Sequence, residues 1–325
     1  MYLDHAATTP LRPEAKAAME EGFRIWANPS SPHAEGRKAK AALEDARERV
    51  KRALGWDGEV IFTSGASEAL ALGLQRCKAK RRIVSAVEHD AVFRAAPDAQ
   101  VYSDDITIGA DDILAIQHVN SETGVVNPVG QMIETIRPTG ALVLSDCSQS
   151  AGKRDLPNAD MLVISAHKFG GPIGIGALLV RDFALLEPMG GHERGYRQGT
   201  ENVAGAIGMA AALEAGPWNT SSKERKNFAL SLGNPVLSFG EQADYIFALA
   251  HPTMSAQALL IRLDAMGFAV SAGSACSSGT LKKSRVLDAF GVDDDTASRT
   301  IRVSIGWNTT SEELERFAEA WRSLA

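Results

Sequence analysis

Met161-Leu162-Val163-Ile164-Ser165-Ala166-His167-Lys168-Phe169-Gly170-Gly171-Pro172-Ile173-Gly174-Ile175-Gly176 decides how this chain is read. Its first four residues are apolar, as in a strand buried on both faces. A short polar element carrying His167 and Lys168 follows, then a glycine-rich loop in which the backbone can turn sharply. Another apolar run, 177–180, begins at once. A lysine delivered from the end of a buried strand suits Schiff-base chemistry, because burial favours the uncharged amine that attacks an aldehyde. The same residues also fit a surface lysine that merely follows a strand. What the other strand ends bring to the same place decides between the two.

Outward from this stretch, short apolar runs alternate with helical patterns, the signature of an α/β sheet. Val60-Ile61-Phe62 predicts a strand, and Thr63-Ser64-Gly65-Ala66-Ser67-Glu68 turns into a helix through about Arg76. Ile83-Val84 begins another strand, which ends near Glu88-His89. Residues 113–119 predict a third, closing on Asn120-Ser121-Glu122-Thr123-Gly124, and residues 141–144 a fourth, ending at Ser145-Asp146-Cys147-Ser148-Gln149. Ser31 and Pro32 fit the N-cap and first position of a helix that repeats Ala39, Leu43, Ala46, Val50 and Leu54 before Gly55. Residues 200–215 predict a helix of small residues, hence closely packed.

The polar stretch 217–226 marks a boundary between a large domain over residues 16–216 and a smaller α+β domain formed by 1–15 with 217–325. In the smaller domain, residues 300–305 predict a strand with Ile301, Val303 and Ile305 on one face and Arg302 and Ser304 on the other. Thr310-Ser311-Glu312-Glu313 predicts a capping box for the last helix. The opening stretch 3–10 reads as too short and polar to be a core element.

At 325 residues, with 45% hydrophobic and 23% charged residues, the composition is that of an ordinary soluble enzyme. A net charge of -6 argues against a general binder of nucleic acid or membrane surfaces. Cys77, Cys147 and Cys276 are scattered, odd in number and without CxxC spacing, which favours a reducing compartment. The start of the chain has no basic segment followed by an apolar one, and no apolar run approaches ~20 residues, so a cytoplasmic location is expected.

In open α/β sheets, ligands collect beyond the carboxyl ends of the strands. Ser67, His89, Asn120, Asp146, Gln149 and Lys168 all follow predicted strands. The turn at 63–67 offers N–H groups, hydroxyls and a helix dipole, a cradle for phosphate, although such turns are also plain helix caps. Asp146 could hold a pyridinium nitrogen, or be a turn aspartate. Gln149 could bond a ring hydroxyl, and His89 could stack on a flat ring or be structural. Phosphate cradle, acid, aromatic cap and lysine together describe pyridoxal 5'-phosphate.

These elements resemble, nearly end to end, the NifS- and IscS-like cysteine desulfurases, members of the class V branch of the pyridoxal-phosphate aminotransferases. The resemblance is carried by 2–10, Asn28-Pro29-Ser30-Ser31, Phe62 to Glu68, Glu88-His89, Asp146 to Gln149, His167-Lys168, 190–200 and Gly273-Ser274-Ala275-Cys276. It implies the fold type I architecture, a large mixed-sheet α/β domain plus a smaller α+β domain. It implies Lys168 as the Schiff-base lysine, Asp146 on the ring nitrogen, Gln149 on the ring hydroxyl and His89 stacked over the ring. Ala66, Ser67, Ser165 and His167 would surround the phosphate, and Thr200 would reach the phosphate of a second subunit in a homodimer. Arg302 would clamp the substrate's α-carboxylate, with residue 121 near the ring hydroxyl and that carboxylate.

Cys276 is the residue that would make such a protein a desulfurase. It lies among Gly, Ser and Ala, a composition favouring an exposed loop over a packed element. Its thiolate would attack the sulfur of L-cysteine and carry it as a persulfide to an acceptor, an iron–sulfur scaffold or a thiolation enzyme. No metal site is expected beyond a transient contact of Cys276 with an iron–sulfur centre. A selenocysteine lyase or another class V aminotransferase or lyase would share most of these residues, and a non-catalytic cofactor-binding protein would need neither Cys276 nor Arg302. The chain departs from the family pattern at Ser121, where asparagine is usual, at Ile173 for lysine, at Trp307 for arginine and at Cys147 for alanine, which would bring a thiol near the ring. It is also shorter than typical relatives, between about 215 and 255.

Overall fold

The computed structural model describes residues 1–233, 235–272 and 284–324. Two compact units make up the chain: Pro10–His118 with Pro128–Ala215, and Met1–Thr9 with Val119–Asn127 and Gly216–Ala325. Against the expected boundaries, residues 10–15 go with the larger unit and 119–127 with the smaller. The Arg12 N–H donates to Gly170 O at 2.8 Å, and the helix Pro13–Arg24 packs on the helix Val203–Glu214. A Cβ on Gly22 would lie 2.7 Å from Ala204 Cα, so the small residues expected in the second helix do allow close approach. In the smaller unit Val125 bridges Gln242, and a Cβ on Gly124 would meet Ile246 O at 2.1 Å.

The larger unit holds seven strands: β1 (Glu59–Thr63), β2 (Arg81–Val84), β3 (Gln100–Val101), β4 (Asp112–Ala115), β5 (Leu142–Asp146), β6 (Met161–Ser165) and β7 (Gly176–Val180), in the order β1-β7-β6-β5-β4-β2-β3. β3, β2, β4, β5 and β6 run parallel, while β7 is antiparallel to both β6 and β1. Every strand except β7 therefore ends at the same edge of the sheet. β6 and β7 are buried at every position, as strands covered on both faces must be. Burying one large apolar side chain such as Leu178 or Leu144 stabilises the fold by about 1.5–3 kcal/mol.

The helix Ala34–Leu54 begins later than Ser31 and Pro32 suggest. His33 is its N-cap, its Nδ1 accepting the Gly36 N–H at 3.2 Å, and Gly55 ends it at φ 61°. Arg47 on this helix is fully buried and paired at 2.9 Å with Glu193, whose carboxylate also accepts the Phe62 N–H. Glu193 and Arg194 have φ of 47° and 58°, left-handed backbone that this buried pair holds in place.

In the smaller unit β8 (Ile246–Ala250), β9 (Ser271–Ala272) and β10 (Thr300–Ser304) form an antiparallel sheet in the order β8-β10-β9. The opening of the chain joins this sheet instead of staying outside the core. Tyr2 bridges Ala269, Asp4 bridges Ser304, and Leu3 is fully buried. The Thr310 N–H donates to Glu313 at 2.9 Å and the Glu313 N–H to Thr310 Oγ1 at 3.3 Å, the capping box that opens the helix Ser311–Leu324. Among the described residues no helix is long and apolar enough to cross a membrane.

Candidate active site

β6 ends at Ser165, and one tight turn, Ala166–Lys168, carries the chain to Lys168. Ala166 closes the turn twice, donating its N–H to Ile175 O at 3.1 Å and accepting the Gly171 N–H at 2.9 Å. Gly170 and Gly174 take φ of 90° and 84°, so the glycines expected to bend this loop do bend it. Lys168 is half-buried and Ser165 buried, while Ile173 is 78% exposed.

Asp146 is the last residue of β5 and pairs with Val163 on β6, which places it beside the turn that bears Lys168. It is buried, and its Oδ1 accepts the Ser148 N–H at 2.9 Å, which leaves Oδ2 without a hydrogen bond among the described residues. Gln149 is buried too, and its Oε1 accepts from Lys153 Nζ at 3.4 Å. Cys147 does not bring a reactive thiol to this edge. It is fully buried in the core with Sγ 3.7 Å from Ser145 Oγ, and burial pushes its pKa up to about 12.

His89 follows β2 and caps the helix Asp90–Ala95, its Nδ1 accepting the Ala91 N–H at 3.1 Å. An accepting Nδ1 carries no hydrogen, so the proton of the neutral ring sits on Nε2. Desolvation lowers the His89 pKa; Asp146 opposes that shift and Lys168 adds to it, so the three groups feel one another's charge. His167 is pushed down to about 4, by desolvation and then by Lys168 and Lys153, and Lys153 itself is pushed down to about 7 by desolvation and by Lys168. Two amines crowd this edge and hold a neighbouring imidazole neutral. Such a field attracts an anion.

The helix Ala66–Gln75 starts at the same edge, after β1. Its N-cap, Gly65, provides no side-chain cap, so the N–H groups at Ala66 and Ser67 are presented to an anion. Glu68 is engaged elsewhere, accepting from the Ser64 N–H and from Arg197 Nε, the latter at 2.9 Å. Gly176 must be glycine here, since a Cβ would meet Gly65 at 2.8 Å. Thr200 stands apart and exposed in the loop that Arg197 anchors.

The larger unit thus collects Ser67, His89, Asp146, Gln149, His167 and Lys168 at one edge of one sheet. Arg302 and Ser121 belong to the smaller unit. Arg302, on β10, is 9% exposed, donating from Nη1 to the backbone O of Ser121 at 3.0 Å and from Nη2 to Asp4 Oδ1 at 2.7 Å. Asn120, which follows a predicted strand, uses its side-chain oxygen to accept the N–H groups of Glu122 and Thr123, a turn-making role. Cys276 lies outside the described residues. Two participants have no place in the sequence reading. Lys153 could have been found from its spacing of four from Gln149, but Asp4 meets Arg302 across 298 positions and leaves no local signal.

With this geometry in hand, the chain can be compared with known proteins. The family model described as aminotransferase class-V matches residues 1–111 and 98–317. The chain is 32% identical to a cysteine desulfurase IscS of Dictyoglomus turgidum over all of this chain and 96% of that protein. It is 33% identical to an IscS-like cysteine desulfurase of Mycobacterium tuberculosis, covering 98% and 94% of the two chains. The first alignment runs over 382 positions against the 325 residues here, so the relative carries segments this chain lacks. Among solved structures, a NifS-like protein from Rickettsia africae superposes with TM-score 0.86 at 27% identity, over 100% of this chain and 99% of that one. A protein described as SspA in complex with cysteine gives 0.79 at 28% identity over 95% and 99%.

Proposed function

Because this chain belongs to the class-V aminotransferase family, and its relatives are cysteine desulfurases, we propose that it binds pyridoxal 5'-phosphate and converts L-cysteine to L-alanine, taking the sulfur on Cys276. The observation that carries this reading is the convergence of Lys168, Asp146, His89 and an uncapped helix start at one sheet edge. The residues present fit the cofactor. The N–H groups of Ala66 and Ser67, with His167 and Ser165 nearby, suit its phosphate, and the free oxygen of Asp146 suits a protonated ring nitrogen. Gln149 suits the ring hydroxyl and His89 the ring face. The two amines that hold His167 neutral gain a counter-charge when a phosphate arrives.

When bound, pyridoxal phosphate supplies an aldehyde for amine capture and a ring that draws electrons from the substrate's α-carbon. Lys168 would hold the aldehyde through Nζ before substrate arrives and afterwards remove the α-proton of L-cysteine. Asp146 would hold the ring nitrogen of the bound group in its protonated state. His89 exchanges protons through Nε2, since Nδ1 is committed to its helix cap. Arg302 takes the α-carboxylate, with Ser121 contributing through its backbone carbonyl. The Cys276 thiolate forms a bond to the substrate sulfur as that sulfur leaves its carbon. Alanine departs, and Cys276 passes the outer sulfur to an acceptor protein in the cytoplasm. The exposed Thr200 serves the phosphate of a second copy in a homodimer.

A cysteine-dependent alanine assay on the purified protein and on Cys276→Ala tests this. The variant keeps the cofactor's absorbance and releases neither alanine nor sulfide. Undiminished turnover without Cys276 removes the desulfurase reading.

A further inference from the structure

The guanidinium of Arg302 is held from two sides yet keeps one edge incompletely paired. Nη1 donates to Ser121 O and Nη2 to Asp4 Oδ1, while Nε is buried without a partner among the described residues. Nε–H and one Nη2–H lie along the same edge of the planar group, the edge a carboxylate grips with both oxygens. Asp4 does not grip it in that way. Its other oxygen, Oδ2, accepts the Ser271 hydroxyl at 2.9 Å. Backbone pairing places all three residues: Ser271 sits opposite Arg302 in the β9–β10 ladder, and Asp4 bridges Ser304 further along the same edge of β10, the edge away from β8.

We infer that Asp4 and Ser271 are a positioning pair that presents the Nε edge of Arg302 to one incoming carboxylate. Asp4 anchors the guanidinium through Nη2, and Ser271 keeps the second Asp4 oxygen off Nε. The inference rests on the reading of Arg302 as the clamp for the substrate's α-carboxylate. Without the Ser271 hydroxyl, Asp4 turns to bond Nε as well as Nη2 and becomes an internal competitor for that clamp. An asparagine at position 4 cannot compete so. Its single oxygen keeps the Nη2 bond, and its amide N–H is a donor that does not pair with Nε–H.

The test uses the cofactor-loaded protein and two readouts: the Kd for L-alanine, followed by the cofactor's absorbance, and KM with kcat for L-cysteine. Ser271→Ala raises Kd and KM on the order of tenfold while kcat stays within about twofold, the loss expected for closing one charged hydrogen-bond edge. Ser271→Thr, which keeps the hydroxyl, restores both constants. In an Asp4→Asn background the same Ser271→Ala change raises Kd by less than about threefold, because the competing carboxylate is gone. Asp4→Asn alone binds alanine at least as tightly as the parent, and this decides the matter if Ser271→Ala fails to fold. An unchanged Kd in Ser271→Ala, an equal rise in both backgrounds, or a tenfold loss in Asp4→Asn overturns the pair. Arg302→Ala separates the two levels: a raised Kd there with a silent Ser271→Ala sinks only the pair, whereas an unchanged Kd sinks the clamp and the pair together.

Discussion

The edge that bears Lys168 and the surroundings of Arg302 are assembled in opposite ways. At the first, each residue follows a strand of one sheet, and because every strand but β7 ends at the same edge, strand order alone brings His89, Asp146 and Lys168 together. At the second, Asp4, Ser121, Ser271 and Arg302 come from the chain's beginning, its middle and its end, and meet only through strand pairing. The first cluster holds Lys153 and the imidazoles of His89 and His167 in crowded, poorly solvated surroundings that disfavour their charged forms. The second neutralises its cation with a carboxylate. A group kept uncharged is suited to moving protons, and a charge kept paired is suited to binding.

Removing a proton-moving group from the first cluster should therefore damage the chemical step, and removing the cation of the second should damage binding. Lys168→Ala is the severest case. Loss of the amine that moves the α-proton lowers kcat by at least about 10²- to 10⁴-fold, measured as alanine released from L-cysteine. Arg302→Ala raises KM for L-cysteine by about 10- to 100-fold, the worth of one or two charge-assisted hydrogen bonds, with kcat far less affected. An Arg302→Ala effect confined to kcat would break the division between the two regions.

The first region is also expected to show in stability. His167 has a folded pKa of about 4 against an ordinary 6.5. Above pH 6.5 it is neutral in both states and contributes nothing to pH dependence. Between pH 6.5 and about 4 the unfolded chain takes a proton that the folded chain refuses, so stability falls as pH falls, by at most ~1.4 kcal/mol per pH unit. Urea titrations of cofactor-free protein across this window should show the decline, and His167→Gln should flatten it. Saturating pyridoxal phosphate should shrink the decline, because its phosphate offsets the two lysines. A decline that the cofactor leaves untouched would separate His167 from the phosphate.

The difference in assembly explains what could be read from the amino acids alone. Periodicity located β1, β5, β6 and β7 and hence the edge, since local apolar runs are their own evidence. It misplaced the boundary hidden in residues 113–119. That run reads as one strand, yet β4 stops at Ala115, and at Val119 the chain passes into the smaller unit, where Val119 bridges Val126. Leu3 was misread because a short segment with polar neighbours carries no period, and only its pairing beside β10 buries it. Strand β10 shows the limit of alternation. Ile301 and Val303 share a face as expected, but Arg302 and Ser304 on the other are buried as well, covered by the chain's first residues. Asp4 lacks a local signal for the same reason.

Cys147 gives the smallest expected effect and the sharpest check on how finely the first region is defined. It stands next to Asp146 in sequence, but β-strand alternation turns neighbouring side chains to opposite faces, and Cys147 goes into the core while Asp146 faces the edge. Its thiol, pushed up to about 12 by burial, is not ionised at neutral pH and offers no nucleophile. Cys77 is buried too, and burial raises its pKa likewise. A Cys276→Ala protein therefore takes up no iodoacetamide at pH 8 while folded, and both remaining thiols label once urea unfolds it, as intact-mass measurement can follow. Cys147→Ala, in otherwise unchanged protein, keeps kcat/KM within about twofold, since it removes one small buried group and no participant. Native labelling at Cys147, or a larger loss of activity on its removal, would mean that the edge extends into what is here packed core.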